Sequence, residues 1–212
     1  MMKYRIIPVT ALMQNTTICW CDKTKSAVIT DPGDEIDTIM QVIDELDLNI
    51  ERIMLTHGHF DHVGGSQVLA EKLNIPINGP DIRDADLIRK LPAQCKMFSV
   101  PHLPAFEPDT WMKAGDIMTF GEEQFEMRFC PGHTPGHLIF VNHQAKLAIV
   151  GDVIFRGAIG RSDFPGGNQQ DLLNSIKHQF LTLPDDLQFI AGHGEMSSVA
   201  IERKTNPYIQ NI

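Results

Sequence analysis

Six consecutive residues, His57-Gly58-His59-Phe60-Asp61-His62, constrain this chain more than any other stretch. Three histidines and a carboxylate fall within little more than one turn of backbone, directly after the apolar run Ile53-Met54-Leu55. Imidazole nitrogens and carboxylate oxygens are the donors zinc and iron prefer. If extended geometry persists past Leu55, alternation along a strand sends His57 and His59 to one side. Asp61 and His62, where the chain turns toward a helix, can then address a second ion close by. An isolated His-x-His is a weak signal. Three histidines and an aspartate in six positions, between a strand and Gly64-Gly65, point to metal.

The remaining donors stand where chain geometry requires them. Three later apolar runs end in a glycine followed at once by a metal-competent residue. Met127-Arg128-Phe129-Cys130 leads through Pro131-Gly132 to His133, Leu147-Ala148-Ile149-Val150 through Gly151 to Asp152, and Leu187 to Ala191 through Gly192 to His193. Ligands of open α/β sheets bind outside the carboxyl ends of strands, and glycine lets backbone approach an ion or take a positive φ. Four strand ends meeting in one crevice would deliver His57, His59, Asp61, His62, His133, Asp152 and His193, enough for two metals with Asp152 as the bridge.

In order, His-x-His-x-Asp-His, Gly-His, Gly-Asp and Gly-His resemble the metallo-β-lactamase superfamily. Thr56-His57-Gly58-His59, Cys130-Pro131-Gly132-His133-Thr134-Pro135-Gly136-His137 and Gly151-Asp152-Val153-Ile154-Phe155 are similar to type II glyoxalases. Gly160-Arg161-Ser162-Asp163-Phe164-Pro165 and Gly192-His193-Gly194-Glu195 look like their small, single-domain bacterial members. The likeness runs from Ile6 to Pro207. It implies an α/β fold, an αββα sandwich of two mixed β-sheets flanked by helices, formed as a single domain over residues 1–212 without the C-terminal helical domain of the long enzymes.

Composition agrees with this. A chain of 212 residues, 42% hydrophobic, can bury one sizeable core. Its net charge of -9 argues against a nucleic-acid partner. No apolar run approaches the roughly 20 residues of a membrane helix, and the start lacks an export signal, so a cytoplasmic protein is expected. Four cysteines make no disulfide framework in a chain this long, and read as small packed side chains. Strands are predicted at Ile6 to Val9, Thr16 to Trp20, Ser26 to Thr30, Arg52 to Leu55, Ile75 to Ile77, Ile117 to Phe120, Gln124 to Cys130, Leu138 to Val141, Leu147 to Val150 and Gln188 to Ala191. Helices are predicted at Ile36 to Leu46, Gly65 to Leu73, Asp81 to Lys90, Gln169 to Leu181 and Ser198 to Lys204. Pro92, Pro101, Pro104 and Pro108 argue against long regular elements between Leu91 and Trp111.

The resemblance assigns His57, His59 and His133 to one metal, Asp61, His62 and His193 to a second, and Asp152 to both. Two divalent ions, Zn2+ or Fe or one of each, would leave the centre electropositive and attract a small anionic substrate. The implied reaction is thioester hydrolysis by metal-bridging hydroxide, with Asp61 and Asp152 as the catalytic carboxylates. The implied substrate is S-D-lactoylglutathione, cleaved to D-lactate and glutathione in methylglyoxal detoxification by a monomer. Arg161 matches a basic substrate contact or else braces the loop after Asp152. Asp163 and Glu195 stand where the long enzymes tend to place tyrosines, which leaves the thiol open. Rival readings on the same ligands are a mononuclear iron persulfide dioxygenase and a lactonase-type hydrolase. His137 reads equally as a support for a ligand or as a turn residue, while His102, His143 and His178 read as surface. Thr56, Gly58 and Thr134 read as supports rather than catalysts. Asp31, in Asp-Pro-Gly, reads first as a turn residue and second as a buttress of the site.

Overall fold

In the computed structural model, which describes residues 1–210 and 212, the apolar runs assemble into two six-stranded mixed sheets. The first contains β1 (Met2–Val9), β2 (Gln14–Cys21), β3 (Ser26–Thr30), β4 (Asn49–Met54), β5 (Ile77–Gly79) and β6 (Thr110–Trp111), hydrogen-bonded in that order. Its first two pairings are antiparallel and the rest parallel. The second contains β7 (Ile117–Phe120), β8 (Glu123–Phe129), β9 (Leu138–Asn142) and β10 (Leu147–Gly151). A short hairpin of β11 (Ile154–Phe155) and β12 (Ala158–Ile159) then intervenes before β13 (Gln188–Ala191) and β14 (Ser197–Ser198). The spatial order is β14-β13-β10-β9-β8-β7, with β10 and β13 the parallel pair.

Two-residue periodicity sorts the side chains into layers. Along β2, Ile18 and Trp20 face an outer core while Cys19 faces the space between the sheets. In β4, Ile53 faces outward and Met54 inward. On the second sheet, Ile139 and Val141 face its own outer core, and Leu138 and Phe140 meet the first sheet's inward side chains. Strands buried on both faces tend to be apolar, as β9 and β10 are, which makes them readable as near-unbroken runs, whereas fully buried β2 keeps Gln14, Asn15, Thr16 and Thr17.

Helices close both outer faces. On the first sheet lie α1 (Ile36–Leu46), α2 (Phe60–Val63), α3 (Ser66–Leu73), α4 (Ala85–Arg89) and α5 (Leu91–Phe98). Ile39, Val42 and Ile43 anchor α1, and Leu91 and Cys95 anchor α5. On the second sheet lie α6 (Gln169–Ser175), continued by a wider π-helical turn over Ile176–Phe180, and α7 (Val199–Thr205). The architecture is therefore the expected αββα sandwich.

Departures from the predicted elements have local reasons. β1 starts at Met2 because an edge strand needs only one partner, so exposed Lys3, Tyr4 and Arg5 are tolerated. The strand predicted at Ile75 to Ile77 forms two residues later, at β5. The Pro-containing stretch does hold a regular element: α5 accepts Pro92 in its first turn, where the missing N–H has no intrahelical partner to lose. The helix predicted from Asp81 to Lys90 is split into a 3₁₀ turn, Ile82–Asp84, and α4.

Candidate metal centre

All the predicted donors emerge from strand ends at one rim of the sandwich. The chain leaves β4 and presents His57 and His59, then winds into α2, which carries Asp61 and His62. His133 follows β8, Asp152 follows β10 and His193 follows β13. Two glycines make the crowding possible. Gly151 has φ 48°, and a Cβ there would lie 2.6 Å from Thr56 Oγ1; a Cβ on Gly192 would lie 2.0 Å from Asp152 Oδ1.

The donors form two groups, His57 with His59 and His133, and Asp61 with His62 and His193, the ligand atoms in each lying within 4.8 Å of one another. Asp152 stands between the groups. Its Oδ1 is 3.4 Å from His62 Nε2, and its Oδ2 is 3.5 Å from His133 Nε2 and 3.7 Å from His193 Nε2. His59 Nδ1 and His133 Nε2 face each other at 2.9 Å. Buried His57 Nε2, His62 Nε2 and Asp152 Oδ1 have no hydrogen-bond partner. Orphaned buried polar atoms are costly. Their convergence on shared points is what a pair of cations would satisfy, so the residues fit two metals.

The far side of most of the rings is occupied. His57 Nδ1 lies 3.0 Å from Thr56 Oγ1, His62 Nδ1 2.9 Å from Asp31 Oδ2, His133 Nδ1 2.6 Å from the Arg161 carbonyl and His193 Nδ1 3.1 Å from the Leu12 carbonyl. Each outward bond assigns the proton to Nδ1 and leaves Nε2 as a lone-pair donor facing inward. His59 is turned the other way, Nδ1 inward.

Asp31 also lies near His57 and His62, but it is a buttress. Its Oδ1 accepts from the Thr56 N–H at 2.7 Å, and its Oδ2 from Thr56 Oγ1 at 2.6 Å as well as from His62. Of the two roles expected of Asp31, the buttress is therefore the one its carboxylate fills. The residue does take a left-handed φ of 49°, which Asp tolerates, and that bend aims its carboxylate under the metal loop.

Burial dominates the protonation of the first group. It holds His57, His59 and His133 below the usual imidazole range, His59 down to about 3, and so keeps them neutral. In the second group burial is outweighed. Asp152 and Asp61 raise His62, and the bond to Asp61 together with Asp152 raises His193. The same pairs, led by His62, hold both carboxyls below the ordinary range against the effect of burial. The two carboxylates thus favour positive charge at His62 and His193, and cations bound there would supply that charge while leaving each Nε2 free to donate its lone pair.

Three further supports were not assigned from sequence. Asp84 is fully buried and clamps both loops of the first group: it accepts from the Gly58 N–H at 2.9 Å, from Thr134 Oγ1 at 2.8 Å and from the Gly136 N–H. Burial pushes its carboxyl up to about 6. Gln94, on α5, accepts from the Phe60 N–H and donates to the Gly58 carbonyl. His137, left open between two roles, stacks on His57 with ring centroids 4.7 Å apart and accepts from the Asp152 N–H at 3.1 Å, so it positions Asp152. His102, His143 and His178 are exposed as expected.

A cavity of about 340 Å³ opens onto the centre, lined by His59, Asp61, His133, Asp152 and His193 together with Phe60, Phe98, Phe155, Phe164 and Arg161. The Arg161 guanidinium lies over the Phe164 ring at 4.1 Å and pairs with both oxygens of Asp163 at 2.9 and 2.8 Å. Its backbone carbonyl holds His133.

A profile of the Metallo-beta-lactamase superfamily matches residues 9–193. The chain is 43% identical over 211 residues to the protein named Hydroxyacylglutathione hydrolase GloC of Haemophilus influenzae, covering 99% of each. It superposes on the crystal structure of the BLEG-1 B3 metallo-beta-lactamase with a TM-score of 0.92 and 27% identity, over 99% of this chain and 100% of that one. On TTHA1623 in a di-iron-bound form the TM-score is 0.87 at 30% identity, over 96% and 99% of the two chains.

Proposed function

This chain belongs to the metallo-β-lactamase superfamily, and from that premise we propose that it hydrolyses thioesters, with S-D-lactoylglutathione cleaved to D-lactate and glutathione as the reaction. The observation that carries the reading is the pair of donor groups about Asp152 in a chain 43% identical, end to end, to a protein named for that hydrolysis.

His57, His59 and His133 would hold one divalent cation, Asp61, His62 and His193 a second, with Asp152 shared. Zinc or iron held there lowers the pKa of a bound water to about 7 and polarises a carbonyl oxygen. The protein's own groups prepare the reaction. Asp61 Oδ2, 3.3 Å from His193 Nε2 and lining the cavity, can accept a hydrogen bond from water and orient it. The His137 bond to the Asp152 N–H fixes the shared carboxylate, and Asp31 fixes His62. Phe60, Phe155 and Phe164 keep the cavity apolar, which strengthens charge interactions inside it. In the net reaction the water oxygen bonds to the acyl carbon and the C–S bond breaks, giving a carboxylate, a thiol and a proton. A thiolate leaves with little acid assistance.

Two dications against two carboxylates give a positive centre in a chain of net charge -9, which suits an anionic thioester. Arg161 would grip a substrate carboxylate only by exchanging its pairing with Asp163. The reading places a monomer in a reducing cytoplasm, where four unbridged buried cysteines would stay thiols. No helix of the described residues is long and apolar enough to cross a membrane.

The test is one metal-replete sample assayed for thiol release from S-D-lactoylglutathione and for oxygen uptake with glutathione persulfide. Thiol release without oxygen uptake is the expected result. Oxygen uptake without thioester cleavage would replace this reading with the iron persulfide dioxygenase, and, in a third assay on the same sample, lactone cleavage alone would replace it with the lactonase.

A further inference from the structure

Beside the main cavity is an annex of about 130 Å³, whose lining includes His59, Leu87, Lys90, Met97, Phe98 and Phe164. The two spaces share His59, Phe98 and Phe164. The aromatic rings form a corner around a metal-group histidine: Phe98 is 5.1 Å from Phe60 and 5.8 Å from Phe164, and Phe164 stands edge-on to His59 at 5.7 Å. The annex touches His59 but neither Asp61 nor His193, so it adjoins the first donor group alone.

Its one cation, Lys90, is largely exposed and lies 3.7 Å from Asp86, while Arg161 of the main cavity pairs with Asp163. The helix that walls it is anchored by buried Leu91 and Cys95, yet Met97 is 66% and Phe98 42% exposed. Large apolar side chains left in water beside a metal cavity mark a surface that something apolar covers. An apolar cavity of roughly 150 Å³ accepts benzene, close to the size of this one. A lactoyl methyl group is too small to fill it.

We propose that the acyl group preferred by this centre carries an aromatic ring, which enters the annex alongside the Phe98–Phe164 pair. The proposal rests on the thioester-hydrolase reading and deepens it. With the carbonyl at the centre, the acyl substituent runs past His59 into the annex, and the thiol portion leaves on the side of His193. A phenyl ring there would stack on or stand edge-on to Phe98 and Phe164.

The experiment compares kcat/KM for S-lactoylglutathione and S-mandeloylglutathione, which share a thiol and differ by a phenyl ring in place of a methyl. The expected wild-type preference for mandeloyl is about tenfold or more, the range one well-fitted apolar group supplies. Ala93→Leu, at an exposed position of α5, fills the annex and should bring the ratio near one, and Phe98→Ala should lower it. Calorimetry of mandelate and lactate with wild-type protein gives a readout independent of turnover, with mandelate expected to bind the more tightly. Equal rates and equal binding would overturn the proposal while leaving the hydrolase reading intact, as would a preference untouched by Ala93→Leu. A preference that follows the ring only when it is placed on the thiol, as in S-lactoyl thiophenol, would overturn the acyl assignment. Cleavage of neither glutathione thioester would overturn the hydrolase reading and this proposal with it.

Discussion

Asp31 supplies a carboxylate that three donors reach, two from Thr56 and one from His62. Supports of this kind orient a ligand ring and raise its basicity. Asp31→Ala should therefore weaken metal binding by about 10–100-fold, measured by competition with a chelator, while leaving the seven donors in place. His59→Ala and Asp152→Ala should abolish turnover and tight binding, whereas His178→Ala on the surface should match wild type in both assays. A His178→Ala variant as damaged as His59→Ala would refute the ligand assignment. Acidity gives a second residue-scale test. His62 and His193 are held above the ordinary imidazole range without metal. The stability their protons contribute is thus complete below about 6.5 and is lost as pH rises through the raised folded values. Metal binding needs those protons gone, so it strengthens over the same rise. The gap in Tm between metal-loaded and metal-free protein should widen from acid to alkaline pH, and a flat or shrinking gap by calorimetry would contradict the assignment.

Between elements, Asp84 is the joint. One buried carboxylate holds Gly58, between His57 and His59 on the first loop, and Thr134 and Gly136, just after His133 on another. Asp84→Ala leaves two buried N–H groups and a hydroxyl without an acceptor, at about 1–3 kcal/mol for each such group. The variant should lose at least about 3 kcal/mol in denaturant unfolding and bind its first-group metal more weakly. Retention of both properties would show that the clamp is idle. None of this was legible in the sequence, where Asp84 is one of several acids in a polar stretch and its partners lie far along the chain. Gln94 escaped notice for the same reason, compounded by Pro92, which suggested a break where α5 begins. What could be read was local. Ile53-Met54-Leu55 and Leu147 to Val150 are apolar on both faces because both faces are buried, and a glycine with a ligand after each run is a pattern of adjacent residues. Asp31 shows the limit: Asp-Pro-Gly correctly signals a turn, but where the turn points depends on β4 lying beside β3.

At the scale of the molecule, the sandwich serves to bring four strand ends to one rim, with Asp152 between two donor groups that separate parts of the chain supply. Phe140 and Phe125 pack between the sheets, and the helices outside them cover the outer faces beneath that rim. Phe140→Ala should cost about 3–5 kcal/mol of stability yet leave the number of metals bound unchanged, as read by elemental analysis of the folded fraction. On the proposed reading both groups must be filled for the chemistry to run, and titrating metal-free protein with Zn2+ while following thiol release from S-D-lactoylglutathione tests this. The rate should climb to a plateau at two equivalents per chain. A plateau at one equivalent would refute the two-metal centre, and no thiol release at any loading would refute the thioester hydrolase.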